Sequence, residues 1–278
     1  MKVLIAGCGY VGCALGTLLA HEGHEVFGLR RNPRNLPVGI EPIAADLSGP
    51  VSPKILPEDL DFVVYAVSPG GSGDEAYRTA YVEGPGNLLA ALTSRGERPR
   101  RFFFVSSTRV YAQADGEWVD ETSPTQPDGY AGRRLLEGER TVLDGPFPAT
   151  VLRLSGIYGP GRERSLDRAL ELPPKNGPPS YTNRIHRDDC AGALRHLMLL
   201  PEPQEIYVGA DHEPADRRTV AEWLAERRGV PPNEKSPDTN RRRTNKRCSN
   251  ARLVASGYEF RYPTFREGFS ALLEGAGG

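Results

Sequence analysis

The sequence predicts an α/β fold: a doubly wound parallel sheet carrying a smaller C-terminal lobe. Three observations point there. A short apolar run at the N-terminus leads through a glycine-rich turn straight into a helical pattern. Short apolar runs then alternate with helical patterns as far as Leu154, which is how parallel strands buried on both faces read. Beyond Leu154 the alternation loosens into glycine- and proline-rich segments. At 278 residues the chain is long enough for one large domain with a sizeable core and an added lobe.

The first unit is Lys2–Ala6, a strand, followed by Gly7, Gly9 and Gly12 and then by Tyr10–His21, a helix. Each glycine has a physical task. Gly7 allows the sharp turn out of the strand, Gly9 lets a pyrophosphate approach the backbone, and Gly12 lets the helix pack close to the strand. The free N–H groups at the helix start then face the phosphates. This is the Rossmann fingerprint, and Gly7, Gly9, Tyr10, Val11 and Gly12 are its candidate dinucleotide-binding residues. The motif implies a nicotinamide dinucleotide, although taken alone it leaves a flavin dinucleotide open.

The second strand, Glu25–Leu29, ends in Arg30 and Arg31, where NAD-binding chains commonly place an acid for the ribose 2′-hydroxyl. Guanidinium groups suit a 2′-phosphate, so NADP is expected in preference to NAD; a solvated strand end is the plainer alternative. After the third strand, Ile40–Ala44, come Asp46 and Leu47. Asp46 can accept from the adenine amino group or simply start a turn. The fourth strand, Asp61–Ala66, runs into Ala66, Val67 and Ser68, small enough to let the cofactor pass. Helices are expected over Asp74–Ser94 and Gly129–Leu143, and strands over Arg101–Val105 and Thr150–Leu154. Asp188–Leu200 reads as a helix and Gln204–Val208 as a strand returning to the main sheet. The expected division is therefore a dinucleotide-binding domain of residues 1–155 and 186–209, with a substrate lobe of 156–185 and 210–278.

Composition narrows the function. A net charge of −1 argues against a nucleic-acid or membrane-surface partner, and no apolar run approaches the roughly 20 residues that cross a bilayer. Four cysteines without CxxC spacing fit a reducing cytoplasm and suggest no metal site. The basic run Arg241–Arg247 reads either as a solvated loop or as a clamp for an anionic substrate such as a nucleotide-sugar diphosphate.

The middle of the chain carries the candidate chemistry. It reads Val105-Ser106-Ser107-Thr108-Arg109-Val110-Tyr111, then Tyr130-Ala131-Gly132-Arg133-Arg134, then Arg153-Leu154-Ser155-Gly156-Ile157-Tyr158-Gly159-Pro160-Gly161, and later Ile185-His186-Arg187-Asp188-Asp189. Together with the N-terminal glycines, this order resembles the extended short-chain dehydrogenase/reductase family, the NAD(P)-dependent epimerase/dehydratases. The resemblance runs from Met1 to about Ala193. It implies that Ser107 polarises a substrate oxygen and that Tyr130 is the acid/base. It also implies hydride transfer on a nucleotide sugar or related carbonyl or carbinol compound, and a homodimer paired through Asp74–Ser94 and Gly129–Leu143. A phenol of pKa near 10 needs a cation beside it to ionise at neutral pH; the family's lysine falls on Arg134, whose planar fork differs from an ammonium. Tyr81 stands where the family has asparagine. These departures resemble the atypical subgroup, and they keep a second function in view: a catalytically impaired dinucleotide-binding sensor or scaffold. Locally, Ser107 can also be read as capping its strand, Tyr130 as packing, and Arg134 as pairing with Glu137 or Glu139.

Overall fold

The computed structural model describes residues 1–162, 164–173, 178–232 and 244–275. In chain order it runs β1 (Lys2–Ala6), α1 (Tyr10–His21), β2 (Glu25–Arg30), β3 (Ile40–Ala44), β4 (Phe62–Tyr65), α2 (Asp74–Arg78), α3 (Gly84–Arg95) and β5 (Arg101–Ser107). Next come β6 (Glu117–Val119), α4 (Tyr130–Leu143), β7 (Ala149–Leu154), β8 (Gly156–Tyr158), α5 (Arg164–Ala169), β9 (Tyr181–Thr182), β10 (Arg184–His186) and α6 (Arg187–Leu199). The chain closes with β11 (Ile206–Gly209), β12 (Ala215–Asp216), α7 (Arg217–Arg228), β13 (Lys246–Cys248), α8 (Ala251–Ala255) and α9 (Phe265–Gly275).

Seven strands form one parallel sheet in the order β3-β2-β1-β4-β5-β7-β11. The chain moves outward from β1 to β3, then crosses back to β4 on the other side of β1. The strand order therefore reverses between β1 and β4, and that is where an open parallel sheet leaves a crevice at its carboxyl edge. Strand residues alternate between two buried layers, as the pleat requires. Val3, Ile5, Phe103 and Leu152 face Leu15 and Leu19 of α1 and Leu194 and Leu197 of α6. Leu4, Ala6, Val63, Phe102, Phe104 and Val151 face Leu88 and Leu92 of α3 and Val142 of α4. Continuous apolar runs in the sequence are thus explained by helices on both faces.

The expected helix over Asp74–Ser94 is interrupted. Between α2 and α3, Thr79–Glu83 makes a π turn in which Gly84 N–H bonds to Thr79 O. In that pattern the Ala80 carbonyl would need the N–H of residue 85, which is proline. The orphaned carbonyl accepts instead from the buried Tyr65 hydroxyl, at 2.6 Å. Gly84 and Gly138 make this crowding possible. An added Cβ would lie 2.1 Å from the Tyr65 hydroxyl at Gly84, and 2.0 Å from the Tyr81 carbonyl at Gly138.

Away from the sheet, Tyr158, Leu166, Leu170, Val220, Leu224, Phe265 and Phe269 form a separate apolar cluster beneath α5, α7 and α9. Other parts of the C-terminal third pack on the main sheet: Leu253 of α8 joins the α1–α6 layer, and Cys248 of β13 lies beside Val208. Within the basic run, Arg241–Arg243 lie outside the described residues. The described remainder is ordered: β13 pairs with β6, Lys246 is buried on the Tyr111 carbonyl at 3.1 Å, and Arg247 lies over the Trp118 and Tyr181 rings. No helix among the described residues is long and apolar enough to cross a membrane.

Candidate functional site

A cleft of about 1270 Å³ runs along the carboxyl edge of the sheet, over the point where strand order reverses. Its floor is the glycine turn. Gly7 has φ +84°, and a Cβ there would stand 2.5 Å from the Val67 amide nitrogen. Gly12 is equally confined, with a Cβ meeting the Gly7 carbonyl at 2.8 Å. Gly9 differs: the nearest neighbour to its missing Cβ is the Gly7 carbonyl at 3.9 Å, so it faces open cleft. Gly7 and Gly12 hold strand and helix together, while Gly9 leaves room for something else, with the α1 N-terminus aimed at it. The residues present fit a dinucleotide pyrophosphate.

Gly7, Gly9, Tyr10 and Val11 line the cleft, and so do Arg30, Arg31, Asp46, Leu47, Ala66, Val67 and Ser68; Gly12 lies beneath it. The two arginines part company. Arg30 donates to the Cys8 carbonyl at 3.2 Å, whereas the Arg31 guanidinium makes no hydrogen bond or ion pair to any described residue. Asp46 starts a turn, its Oδ1 accepting from the Ser48 amide at 3.0 Å, and the Ser48 bonds hold its carboxyl below the usual range. It lines the cleft nonetheless, so the two local readings of Asp46 are compatible.

At the far end the wall contains Ser107, Thr108, Arg109, Tyr77, Tyr81 and Arg162. Ser107 ends β5, and its Oγ accepts from the Arg109 amide at 3.3 Å, a capping contact that leaves the hydroxyl on the wall. The Arg109 side chain is exposed and has no partner among the described residues. Burial pushes the Tyr81 phenol up to about 12. Beneath Ser107 lies a buried polar cluster. Glu139 accepts from Ser106 Oγ at 2.5 Å and takes a forked bond from Arg153, which also donates to the Tyr111 hydroxyl at 2.9 Å. Burial works against the Arg153 charge, but the Glu139 bonds outweigh it and raise its pKa. This cluster ties α4 to β5 and β7 immediately below the candidate serine.

Tyr130 and Arg134 are not on the cleft wall. The Tyr130 hydroxyl accepts from the Gly73 amide at 3.2 Å, and its ring meets Tyr77 edge-on. Arg134 makes a fork with Asp74 at 2.8 and 2.9 Å and a second contact with Glu137 at 2.7 Å. The start of α4 is therefore latched to the start of α2, and the Arg134 charge is spent on carboxylates rather than on a phenol. His186 caps α6, its Nδ1 accepting from the Asp188 amide, and burial lowers its pKa to about 4. Asp189 accepts from Tyr258 and from the Arg261 and Tyr262 amides, fastening the C-terminal segment to α6.

The sequence offers Glu139 only as a partner for Arg134, whereas the fold pairs it with Arg153, and it does not single out Arg109, Tyr77 or Arg162. Glu139 left a signal: it sits between Leu135 and Val142 on the buried stripe of α4, where an acid requires a buried partner. Arg109 left none, since its exposure and lack of a partner are properties of the folded chain.

A parallel sheet with a glycine turn at its switch point and a deep cleft above defines a dinucleotide-binding α/β protein. The chain belongs to the NAD dependent epimerase/dehydratase family, whose pattern matches residues 3–173. It is 30% identical to Protein YeeZ of Escherichia coli (strain K12) across 94% of this chain and 96% of that one. Among solved structures, it is similar to a putative NAD-dependent epimerase/dehydratase from Methylobacillus flagellatus, at 38% identity and a TM-score of 0.81, covering 100% and 99% of the two chains. MoeE5, solved with UDP-glucose and NAD, shares the fold at 22% identity and a TM-score of 0.79, covering 97% and 96%.

Proposed function

We propose that this protein is an NADP-preferring oxidoreductase of the epimerase/dehydratase type, moving a hydride to or from a carbon of a nucleotide sugar or related carbonyl compound. One observation carries the reading: a single cleft joins Arg31, past the open face of Gly9, to Ser107 and Arg109, and neither guanidinium has a partner among the described residues. Arg31 would meet the 2′-phosphate, Asp46 and Leu47 the adenine, Gly7–Gly12 the pyrophosphate, and Ala66–Ser68 the passing cofactor backbone. A bound nicotinamide supplies the hydride chemistry. Ser107 polarises the substrate oxygen, while Arg109 and Arg162 hold an anionic part of the substrate. Tyr130 serves as acid/base, with Arg134 in place of the family lysine, once the Gly73 and Asp74 contacts release them. Residues 156–185 and 210–278 act as the substrate lobe over the domain of 1–155 and 186–209. Copies pair through α2, α3 and α4, and the protein works in the cytoplasm, where thiols such as its four free cysteines rest in the reduced form.

A second reading, dinucleotide binding without turnover as a sensor or scaffold, is favoured by the latched Tyr130 and Arg134. Calorimetry with NADPH and NADH tests the first half of the proposal: NADPH binds the more tightly, and tighter NADH binding overturns the assignment. Turnover on a panel of nucleotide sugars and carbonyl compounds, followed by nicotinamide absorbance, tests the second half. Activity abolished by Tyr130→Phe supports the enzyme; tight binding with no turnover across the panel supports the sensor.

A further inference from the structure

The glycine turn carries two thiols for which dinucleotide binding has no use. Cys8 lies between Gly7 and Gly9, fully buried, with its Sγ packed against Gly28 of β2. Cys13 lies in the second turn of α1 and is half-buried. The chain curls into the helix so that their sulfurs stand 3.9 Å apart. The Cys8 carbonyl accepts from both Cys13 Sγ, at 3.3 Å, and the Arg30 guanidinium, at 3.2 Å. The two thiols are inequivalent. The hydrogen bond with Cys8 and the charge of Arg30 overcome burial and bring the Cys13 thiol down to about 7, while the same hydrogen bond and burial push Cys8 up. Cys13 is thus the more acidic and more accessible sulfur and Cys8 the less acidic, fully buried one, the arrangement of an attacking and a resolving cysteine. Cys190 and Cys248 are buried, and burial raises both.

We propose that Cys8 and Cys13 are an oxidation site: hydrogen peroxide converts them to a reversible disulfide across the phosphate-facing turn, and the disulfide weakens dinucleotide binding. The Cys13 thiolate attacks one peroxide oxygen, the O–O bond breaks, and the departing oxygen takes up a proton and leaves as water. The resulting sulfenic acid is attacked by Cys8 Sγ, which gives up its proton as the sulfenic oxygen leaves as a second water. Two thiols and one peroxide become one disulfide and two waters; the sulfurs lose two electrons and the peroxide oxygens gain them.

The effect on binding rests on the dinucleotide reading above and follows from the geometry. The sulfurs must close from 3.9 Å to about 2.05 Å, which draws Cys8 away from Gly28. Cys8 is bonded directly to Gly9, and its carbonyl anchors Arg30, so the closure shifts the phosphate-facing peptide and frees the guanidinium together.

The test treats the purified full-length protein with hydrogen peroxide, removes the peroxide with catalase, and reads peptide masses and NADPH affinity side by side. The expected result is a Cys8–Cys13 cross-linked peptide, NADPH affinity lowered about tenfold through the displaced phosphate contacts, and restoration of both by dithiothreitol. In Cys13→Ser, and in Cys13→Ala as a second variant, peroxide leaves affinity equal to that of the same variant untreated. Absence of the cross-link overturns the site. A cross-link with unchanged NADPH affinity overturns its effect on binding. Failure of the reduced protein to bind NADPH at all overturns the dinucleotide reading and with it the binding effect, while the peptide masses still decide whether the disulfide forms.

Discussion

The two ends of the cleft are built to different degrees of readiness. At the β1–β4 switch point the elements that fit a pyrophosphate stand together, a confined Gly7, an open Gly9 and a helix N-terminus, with Arg31, unpaired among the described residues, farther along the same cleft. At the α4 end the positions aligned with acid/base chemistry are engaged elsewhere, Tyr130 with Gly73 and Arg134 with Asp74 and Glu137. The difference follows from what each end depends on. The glycine turn is shaped by steric confinement within one short segment. The start of α4 is shaped by exposed ion pairs with a segment about sixty residues away, which solvent screens and a ligand can displace. On the proposed function, binding and reaction can therefore be separated in this fold.

Three substitutions break or sharpen that contrast. The largest effect belongs to Glu139→Ala, which leaves Arg153 charged and without its carboxylate in a buried site. It is expected to cost about 3–5 kcal/mol in chemical denaturation and to loosen α4 beneath Ser107. A cost near that of a surface change would mean the cluster is hydrated and does not fix that end. Next come the two glycines. Gly7→Ala forces a Cβ against the Val67 backbone at a left-handed residue and is expected to cost about 2–4 kcal/mol. Gly9→Ala meets nothing nearer than the Gly7 carbonyl at 3.9 Å, so it unfolds close to the unaltered protein yet binds NADPH at least about tenfold more weakly, by crowding the phosphates. Equal effects of the two on stability and binding would erase the distinction between scaffold and ligand glycines.

A separate substitution tests pH dependence, at Asp211. This side chain is buried, its Oδ2 has no hydrogen-bond partner among the described residues, and burial lifts its pKa from 3.8 to about 8. The raised pKa means the folded chain holds this proton where the unfolded chain has released it. Its contribution to stability is fully present below 3.8 and is lost as pH rises through about 8. Asp211→Asn removes this titration, so its thermal midpoint declines less than that of the unaltered protein between those limits. Parallel profiles would show that Asp211 ionises freely in the fold.

How much was legible in the sequence follows the same physical division. The limits of β1 and α1 could be read directly because Gly7, Gly9 and Gly12 encode their junction locally. The main-sheet strands and the return of α6 and β11 were legible as apolar runs and periodicity. The π turn was less so, although Pro85 marks the missing N–H that makes it necessary. The latch between Arg134 and Asp74 was not legible, because a surface charge pairs with whichever partner the fold brings near, and Glu137 was the only one of its two partners within a helical turn. The pairing of β13 with β6 is likewise long-range, and it turns the end of a basic run into buried structure. Cys8 and Cys13 have no CxxC spacing to mark them as a pair; the turn into α1 brings their sulfurs together.

The most direct test of the account is a crystal structure determined with NADPH. The account predicts the pyrophosphate over Gly9 at the start of α1, the 2′-phosphate against Arg31, and the nicotinamide beside Ser107. A dinucleotide bound elsewhere, or one lying in the cleft with its 2′-phosphate turned away from Arg31, would contradict it.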